Sequence, residues 1–203
     1  MVAPYLIEAR TGGQVKHDLR EIIYDVADQF DVNGAAKPRA VPHITLFGPY
    51  NTDQGQQVKQ TVQNVLSGFD VVPYRIDGFD RFPENKVIYA KVIPSPELRE
   101  LRRELSRQLR PITYNYRSYD SNYFHEFHIT IAYKDIGGKF DDIWQYVNEE
   151  FSPQYDEYAT RITSLRRRKM LWEYDLLQDQ ELRPSEATSA DSWQRTTELL
   201  SDR

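Results

Sequence analysis

Two short motifs in the chain each combine a histidine with a threonine, and both have the form His, apolar, Thr, apolar. They are His43-Ile44-Thr45-Leu46 and His128-Ile129-Thr130-Ile131. Because alternate side chains of a strand share a face, each imidazole is expected beside a threonine hydroxyl, about 6.5 to 7 Å away along the backbone. The apolar residues between them then belong to the core. One such motif is weak evidence, and two of the same form are much stronger.

Phosphodiester hydrolysis is the chemistry that such a pair of motifs suits. In-line attack needs a base on the water and an acid on the departing oxygen, on opposite sides of the phosphorus. Histidine titrates at about pH 6.5, so one imidazole can be neutral while another is protonated. Threonine hydroxyls can donate to the non-bridging oxygens as charge develops. We therefore predict His43 and His128 as the catalytic pair, with no metal and no cofactor.

Alternating strands and helices are predicted around the two motifs. Apolar periodicity, caps and Gly or Pro breaks give strands at 2–9, 41–48, 71–79, 86–93, 127–133, 159–165 and 171–177 and helices at 15–30, 53–66, 96–109 and 140–150.

The order strand, helix, strand, helix, strand occurs twice, over residues 2–80 and 86–178. Both motifs are central to their unit and lie 128 − 43 = 85 residues apart, an offset that Tyr5 and Ala90 share. This matching favours duplication over chance recurrence, and duplicated units tend to face each other across a cleft. We expect one domain over 1–182, followed by a polar tail over 183–203 that is peripheral or mobile, with a short helix around 193–200.

The paired motifs in two α/β halves resemble the 2H phosphoesterase superfamily, and in particular its LigT-like branch of 2′-5′ RNA ligases and 2′,3′-cyclic phosphodiesterases. The resemblance covers about residues 2–178. It implies an α+β fold with two lobes, in which two antiparallel sheets line a central cleft and the helices lie outside. It also implies hydrolysis of 2′,3′-cyclic phosphates to 2′-phosphates, or handling of 2′-5′ linkages.

The resemblance also assigns roles to individual residues. It makes the two histidines the acid–base pair and makes Thr45 and Thr130 phosphate ligands. Members of the superfamily often carry an arginine soon after the second motif. Here the corresponding stretch is Ala132-Tyr133-Lys134, so Tyr133 or Lys134 is expected to do the related job. The sequence leaves open which histidine is the base.

Aromatic residues near the motifs are further candidates for substrate binding. Tyr123 and Phe124 come just before the second motif, where aromatic rings can stack on a base or pack against the lobe below. Phe47 is expected on the histidine face by alternation from His43 and Thr45.

Other polar groups are assigned no catalytic role. His125 lies three residues before His128, whereas the HExxH zinc motif needs a helix and a four-residue spacing, so His125 is expected at the rim or in a loop. His17 is expected to be solvated. The basic run 166–169 could meet RNA phosphates or form a solvated hairpin.

Composition narrows the class of protein. The 203 residues carry a formal charge of −5, which argues against a protein that coats long nucleic acid and favours a small substrate. There are no cysteines, so disulfides and thiol catalysis are excluded and a reducing cytoplasm fits. No apolar run is long enough to span a bilayer, and the N-terminus lacks the apolar run of a secretory signal. We expect a cytoplasmic monomer.

The favoured function is a metal-independent phosphodiesterase that acts on a cyclic or 2′-linked phosphate of an RNA end or a small nucleotide. An RNA ligase that joins a 2′,3′-cyclic end to a 5′-hydroxyl runs the same chemistry backwards, so the sequence does not separate the two. A module that binds RNA ends without turnover is the alternative from another class. The presence of both histidines and both threonines argues against lost turnover.

Overall fold

The computed structural model describes residues 4–118 and 125–201 of the chain. Within them lie nine strands and six α-helices. The strands are β1 (Tyr5–Arg10), β2 (His43–Tyr50), β3 (Val72–Phe82), β4 (Val87–Pro94), β5 (His128–Tyr133), β6 (Gln154–Ala159), β7 (Arg161–Arg166), β8 (Lys169–Asp175) and β9 (Gln180–Leu182). The helices are α1 (Gly13–Phe30), α2 (Gly55–Leu66), α3 (Pro96–Leu109), α4 (Phe140–Glu150), α5 (Pro184–Ala187) and α6 (Ala190–Ser201).

The strands form two antiparallel sheets, and this confirms the α+β class expected from the sequence. The first sheet has the order β2-β1-β7-β8-β9 and the second the order β5-β4-β3-β6. The two motif strands, β2 and β5, are therefore edge strands of different sheets, and they lie next to each other. This arrangement brings the two histidine motifs to the junction between the sheets.

Each half of the sequence contributes one strand to the sheet of the other half. β3 belongs to the first half but pairs with β4 of the second sheet. β7 belongs to the second half but pairs with β1 of the first sheet. The two sheets are thus equivalent in the orders β2-β1-β7 and β5-β4-β3, and neither sheet is built from one continuous half of the chain.

The sheet registers correct one detail of the predicted repeat. Ala9 lies opposite Ile44 in the first sheet, and Ala90 lies opposite Ile129 in the second. Ala90 therefore corresponds to Ala9, at an offset of 90 − 9 = 81, and not to Tyr5. The chain between the paired residues is shorter in the first half, with 44 − 9 = 35 positions from Ala9 to Ile44 against 129 − 90 = 39 from Ala90 to Ile129, so one offset cannot hold for both strands.

The helices cover the sheets as their apolar spacing predicts. The buried residues of α1 are Val15, Leu19, Ile22, Ile23 and Val26, and they form one face of the helix. α1 lies against β5 and α4, whereas α3 lies against α2, β2 and β3, so the helices also tie the two halves together. No described helix is both long and apolar enough to cross a membrane.

The C-terminal segment packs more closely than expected from its polar sequence. Arg161 of β7 has no exposed surface and donates to the Ser192 carbonyl and hydroxyl of α6 at 2.6 and 2.9 Å. The same guanidinium lies 3.3 Å from Glu173, 3.2 Å from Asp175 and 3.9 Å from the centre of the Trp193 ring. The expectation of a peripheral segment is therefore wrong for α6, because a buried ion pair needs the hydrogen bonds that this helix supplies.

Candidate active site

The first half-site surrounds His43 at the start of β2. Its Nδ1 lies 2.7 Å from the Val41 carbonyl oxygen, and its Nε2 lies 3.5 Å from a carboxylate oxygen of Glu8. Glu8 is 1% exposed and stands opposite Thr45 in the sheet. Arg10, opposite His43, donates its Nε–H to the other Glu8 oxygen at 2.8 Å. His43 therefore faces a buried carboxylate that an arginine holds in place.

The second half-site surrounds His128 and has the same backbone plan. Its Nδ1 lies 2.9 Å from the Glu126 carbonyl oxygen. Its ring centroid lies 5.2 Å from those of both Phe82 and Tyr89, and Tyr89 stands opposite Thr130 as Glu8 stands opposite Thr45. Aromatic rings thus replace the carboxylate of the first half-site.

Burial lowers the pKa of His128 from its ordinary value of 6.5, because desolvation disfavours the charged imidazolium. The hydrogen bond to Glu126 opposes this change, and the charge of His43 lowers the pKa further. β2 and β5 lie next to each other, so both histidines stand at the same junction of the sheets.

Both histidines have the same ring orientation. In each, Nδ1 faces a backbone carbonyl, which can only accept a hydrogen bond, so Nδ1 carries a proton. Nε2 is then the atom that exchanges protons with a substrate. It accepts a proton when the ring is neutral and donates one when the ring is charged.

A β-bulge follows the threonine in both motif strands. Glu8 pairs with Thr45 but Ile7 pairs with Phe47, so Leu46 is the extra residue. The second sheet repeats this, because its register shift between Ile88 and Tyr89 leaves Ile131 as the extra residue on β5. A bulge inverts the alternation of side chains beyond it.

The bulge explains the placement of Phe47, which the sequence assigned to the histidine face. Phe47 has no exposed surface, and its ring lies 5.2 Å from that of Tyr50 and 6.1 Å from that of Tyr116. It is a core residue in this structure, and its predicted contact with substrate is corrected. Beyond the second bulge the same inversion turns Tyr133 toward the cleft, which it lines.

A cleft of about 800 Å³ runs along this junction of the two sheets. His43 and Thr45 of β2 and Thr130 and Tyr133 of β5 line it, together with Glu8 and other residues of β1. Beyond β1 the cleft extends to the β7–β8 turn and to the loop before β2. Its size suits a nucleotide-sized ligand.

The other predicted residues lie as follows. Lys134 is exposed, has a φ of 72° and places its Nζ 4.6 Å from the centre of the Tyr133 ring. Tyr123 and Phe124 fall outside the described residues. His125 is in a loop, with its ring 6.4 Å from that of His128. Burial, and then the charge of Arg102, lowers the pKa of His125 to about 3, so this ring is neutral.

His17 is exposed on α1 and forms a cluster with Asp18 and Glu21. This cluster could offer ligands to a metal ion, but it lies on an outer helix surface, and exposed acidic groups of this kind are common without an ion.

The residues that the sequence analysis overlooked are the neighbours of the two histidines across the sheet, namely Glu8, Arg10, Phe82 and Tyr89. Glu8 and Arg10 left one signal, because they interrupt an otherwise apolar strand at alternate positions and so share a face. The strand register that places them opposite Thr45 and His43 has no local signal in the sequence.

Comparison with known proteins identifies the family of the chain. The family model of the 2′-5′ RNA ligase superfamily matches residues 19–169, well over half of the chain, and the protein belongs to this superfamily. The resemblance to the LigT-like 2H phosphoesterases is thereby confirmed. No curated protein sequence matches the chain.

Solved structures share the fold at low sequence identity. Apo LigT of E. coli is 15% identical, with 86% of this chain and 98% of LigT covered and a TM-score of 0.53. LigT with NADP⁺ is also 15% identical, with 86% and 97% covered and a TM-score of 0.54. A structure described as a phosphoesterase is 14% identical, with 90% and 94% covered and a TM-score of 0.52.

Proposed function

We propose that the protein is a metal-independent phosphodiesterase that hydrolyses 2′,3′-cyclic phosphate or 2′-5′ linkages of RNA ends or nucleotides, with His43 and His128 as its acid–base pair. The observation that carries the proposal is the meeting of two equivalent His-x-Thr strands at the edges of two sheets beside one cleft. His43, Thr45 and Thr130 line the cleft, and His128 begins the strand that carries Thr130.

The different surroundings of the two histidines favour one assignment of roles. His128 has a lowered pKa and is therefore neutral near pH 7, as a general base must be. Nε2 of His43 lies 3.5 Å from a carboxylate oxygen of Glu8, an acceptor placed for a proton on Nε2, which is the proton that a general acid donates. We assign His128 as the base and His43 as the acid.

In this assignment, Nε2 of His128 takes a proton from water as the water oxygen bonds to phosphorus. The bond between phosphorus and the ribose O3′ breaks, and O3′ takes the proton from Nε2 of His43, which leaves a 2′-phosphate and a 3′-hydroxyl. Thr45 and Thr130 are proposed to donate to the non-bridging oxygens, where such donors stabilise developing charge. Solvent exchange then restores both protonation states.

Relatives of the same fold support a ligand of the nucleotide type. The solved structures of E. coli LigT include complexes with NADP⁺ and with 3′-AMP. Both are nucleotides, and we extend this ligand class to the cleft beside His43 and Thr45.

The test is to incubate the protein and a chelator with the four nucleoside 2′,3′-cyclic monophosphates and to follow the products by phosphorus NMR. We expect a 2′-phosphate from the wild type and none from a variant with both His43→Ala and His128→Ala. Turnover that depends strictly on added metal, or a product with a 3′-phosphate, contradicts the proposed mechanism.

The ligase direction is tested in the same preparation. An RNA with a 2′,3′-cyclic end is mixed with an RNA that carries a 5′-hydroxyl, and joined product is separated on a denaturing gel. Joining that needs both histidines assigns the protein to ligation as well, because the same two proton transfers serve both directions. Binding of the cyclic end without either product supports the end-binding module.

A further inference from the structure

We propose that the cleft contains a second anion subsite, formed by Arg167 and Arg168 of the β7–β8 turn and by Lys37 and Arg39 of the loop before β2. It would take a phosphate of the substrate other than the one that reacts. The inference rests on the proposed function and narrows it to a substrate with at least one further phosphate, such as the end of an RNA strand, in preference to a mononucleotide.

The first reason for this inference is the excess of positive charge along the cleft. The chain has a formal charge of −5, yet the described lining of the cleft holds five cationic side chains and one acid. The acid is Glu8, which is already paired with Arg10 at 2.8 Å. The other four cations are the subsite residues, and a phosphate is the group that such a cluster recognises.

The four cations are exposed, at the part of the cleft formed by the β7–β8 turn and the loop before β2. Within the described parts of the chain, none of them has a carboxylate at ion-pair distance. Repulsion among cations that lack acidic partners is relieved when an anion binds.

The β7–β8 turn gives an independent reason to assign a function to its arginines. Arg166 pairs with Lys169, so Arg167 and Arg168 are the two central residues of a two-residue hairpin. Their φ angles are 51° and 64°, as a type I′ turn requires, and Asn-Gly is the pair that suits this turn best. Two arginines in the left-handed region are strained, and such strain is commonly kept where a side chain is needed for function.

The start of the loop before β2 is anchored to the segment that follows β5. Asp135, just after β5, accepts hydrogen bonds from the Asn33 and Gly34 backbone N–H groups at 2.7 and 3.0 Å. Gly34 approaches the backbone so closely that an added Cβ would lie 2.0 Å from the Tyr133 carbonyl oxygen. Arg39 precedes His43 by four residues, so the subsite and the β2 strand belong to one continuous segment of the chain.

Two kinds of substrate present a second phosphate to such a subsite. An RNA strand offers the phosphodiester upstream of its cyclic end, whereas a dinucleotide offers its pyrophosphate. The chemistry recognised is the same, so the test includes both. The first series consists of a cytidine 2′,3′-cyclic monophosphate and of dinucleotides and trinucleotides with the same cyclic end. The second substrate is an ADP-ribose cyclic phosphate.

The decisive variant combines Arg167→Asn with Arg168→Gly, which removes both charges and relieves the turn, so loss of folding is not expected. A second variant combines Lys37→Gln with Arg39→Gln. The matched control combines Arg103→Gln with Arg107→Gln, which removes the same charge from the outer face of α3, where both arginines pair with glutamates. Each protein is assayed for kcat and KM over a range of salt concentrations.

In the wild type we expect kcat/KM to rise by about tenfold or more from the mononucleotide to the trinucleotide, through KM, as two or more phosphate contacts imply. Both subsite variants should lose this gain, keep hydrolysis of the mononucleotide within about threefold, and show a salt slope smaller by about 1. The control should behave as the wild type. If kcat/KM for the ADP-ribose cyclic phosphate exceeds that for the mononucleotide by as much as the value for the dinucleotide does, the subsite is one that binds pyrophosphate.

A wild-type rate that does not depend on substrate length, or equal losses on all substrates, overturns the subsite and leaves the proposed function intact. If no substrate is turned over, the proposed function fails, and the subsite is tested by fluorescence anisotropy with a labelled trinucleotide that ends in a 2′-phosphate. Binding that the subsite variants weaken but the control retains still supports the inference, and binding that none of them weakens refutes it.

Discussion

The two half-sites share their backbone geometry but differ in the side chains around the histidines. In each, a histidine bonds through Nδ1 to the carbonyl two residues before it, and a bulge follows the threonine. Across the strand pair, however, Thr45 faces the carboxylate of Glu8, whereas Thr130 faces the ring of Tyr89. The proposed catalytic groups therefore take equivalent positions in the two half-sites, whereas their neighbours make one half-site polar and the other aromatic.

This difference is what acid–base catalysis with two identical side chains needs. Two histidines in equal surroundings would titrate together, and one protonated and one neutral ring would coexist only over a narrow range of pH. Burial lowers the pKa of His128, whereas Nε2 of His43 lies beside the Glu8 carboxylate, so the two rings have different surroundings. The following predictions test this comparison, from the largest expected effect to the smallest.

Removing either catalytic ring should have the largest effect. His43→Ala or His128→Ala should lower kcat by about 10²–10⁴-fold, the usual contribution of a positioned acid or base. Product affinity should change little, because the hydroxyls remain. Steady-state hydrolysis of a cyclic mononucleotide measures the first effect and equilibrium binding of the 2′-nucleotide the second. His17→Ala is the control, and a histidine variant as active as this control would have no catalytic role.

The exchanged strands β3 and β7 also differ in their surroundings, because the ion pairs of β7 are buried and that of β3 is exposed. Arg161 of β7 pairs with Glu173 and Asp175 with side chains at most 1% exposed, whereas Arg75 of β3 pairs with Asp156 with side chains 59% and 81% exposed. Arg161→Met should lower the free energy of unfolding by about 3–5 kcal/mol, because it leaves two buried carboxylates unpaired. Arg75→Met should cost about 0–1 kcal/mol. Urea unfolding measures both, and similar losses would refute this contrast.

Replacing the Glu8 carboxylate should make the two half-sites more alike. Glu8→Gln takes a negative charge away from the proton that His43 is proposed to donate. The rate of hydrolysis should fall by up to about tenfold, because a neutral amide oxygen accepts a weaker hydrogen bond than a carboxylate. Steady-state hydrolysis at pH 7 measures the loss, with Glu100→Gln on the surface of α3 as control. An unchanged rate would mean that Glu8 does not support the acid.

Replacing Phe82, which covers the ring of His128, should shift the pH dependence of hydrolysis and have the smallest effect. Because the base must be neutral, the rate rises with pH through the pKa of His128, and this limb of the pH profile lies below pH 6.5 since that pKa is lowered. Phe82→Ala admits water to the ring, so the pKa should rise and the rising limb should move to higher pH. The rate should fall a few-fold below the limb and change little above pH 7. Phe82→Leu keeps the apolar cover and should leave the limb in place.

Much of the site was predictable because it depends on patterns among residues that are close together in the sequence. The period of two along each motif places His43 beside Thr45 and His128 beside Thr130 in any strand. Helical spacing of apolar residues gave α1, and the Ser95-Pro96 pair gave the start of α3, where the Ser95 hydroxyl accepts a hydrogen bond from the Leu98 N–H at 3.1 Å. Two strands were not predicted, β6 and β9, since the first is largely polar and the second has three residues.

What the sequence by itself determined is the pair of motifs, their strands and the repeat that relates them, because these depend on residues close together in the chain. The tertiary structure alone decided what each histidine faces. Register placed Glu8 opposite Thr45, a bulge turned Phe47 into the core, and the exchange of β3 and β7 joined the two sheets. It also brought Arg167 to the cleft of His43, across 124 residues of chain (167 − 43). These contacts depend on pairing between distant segments, which no local pattern encodes.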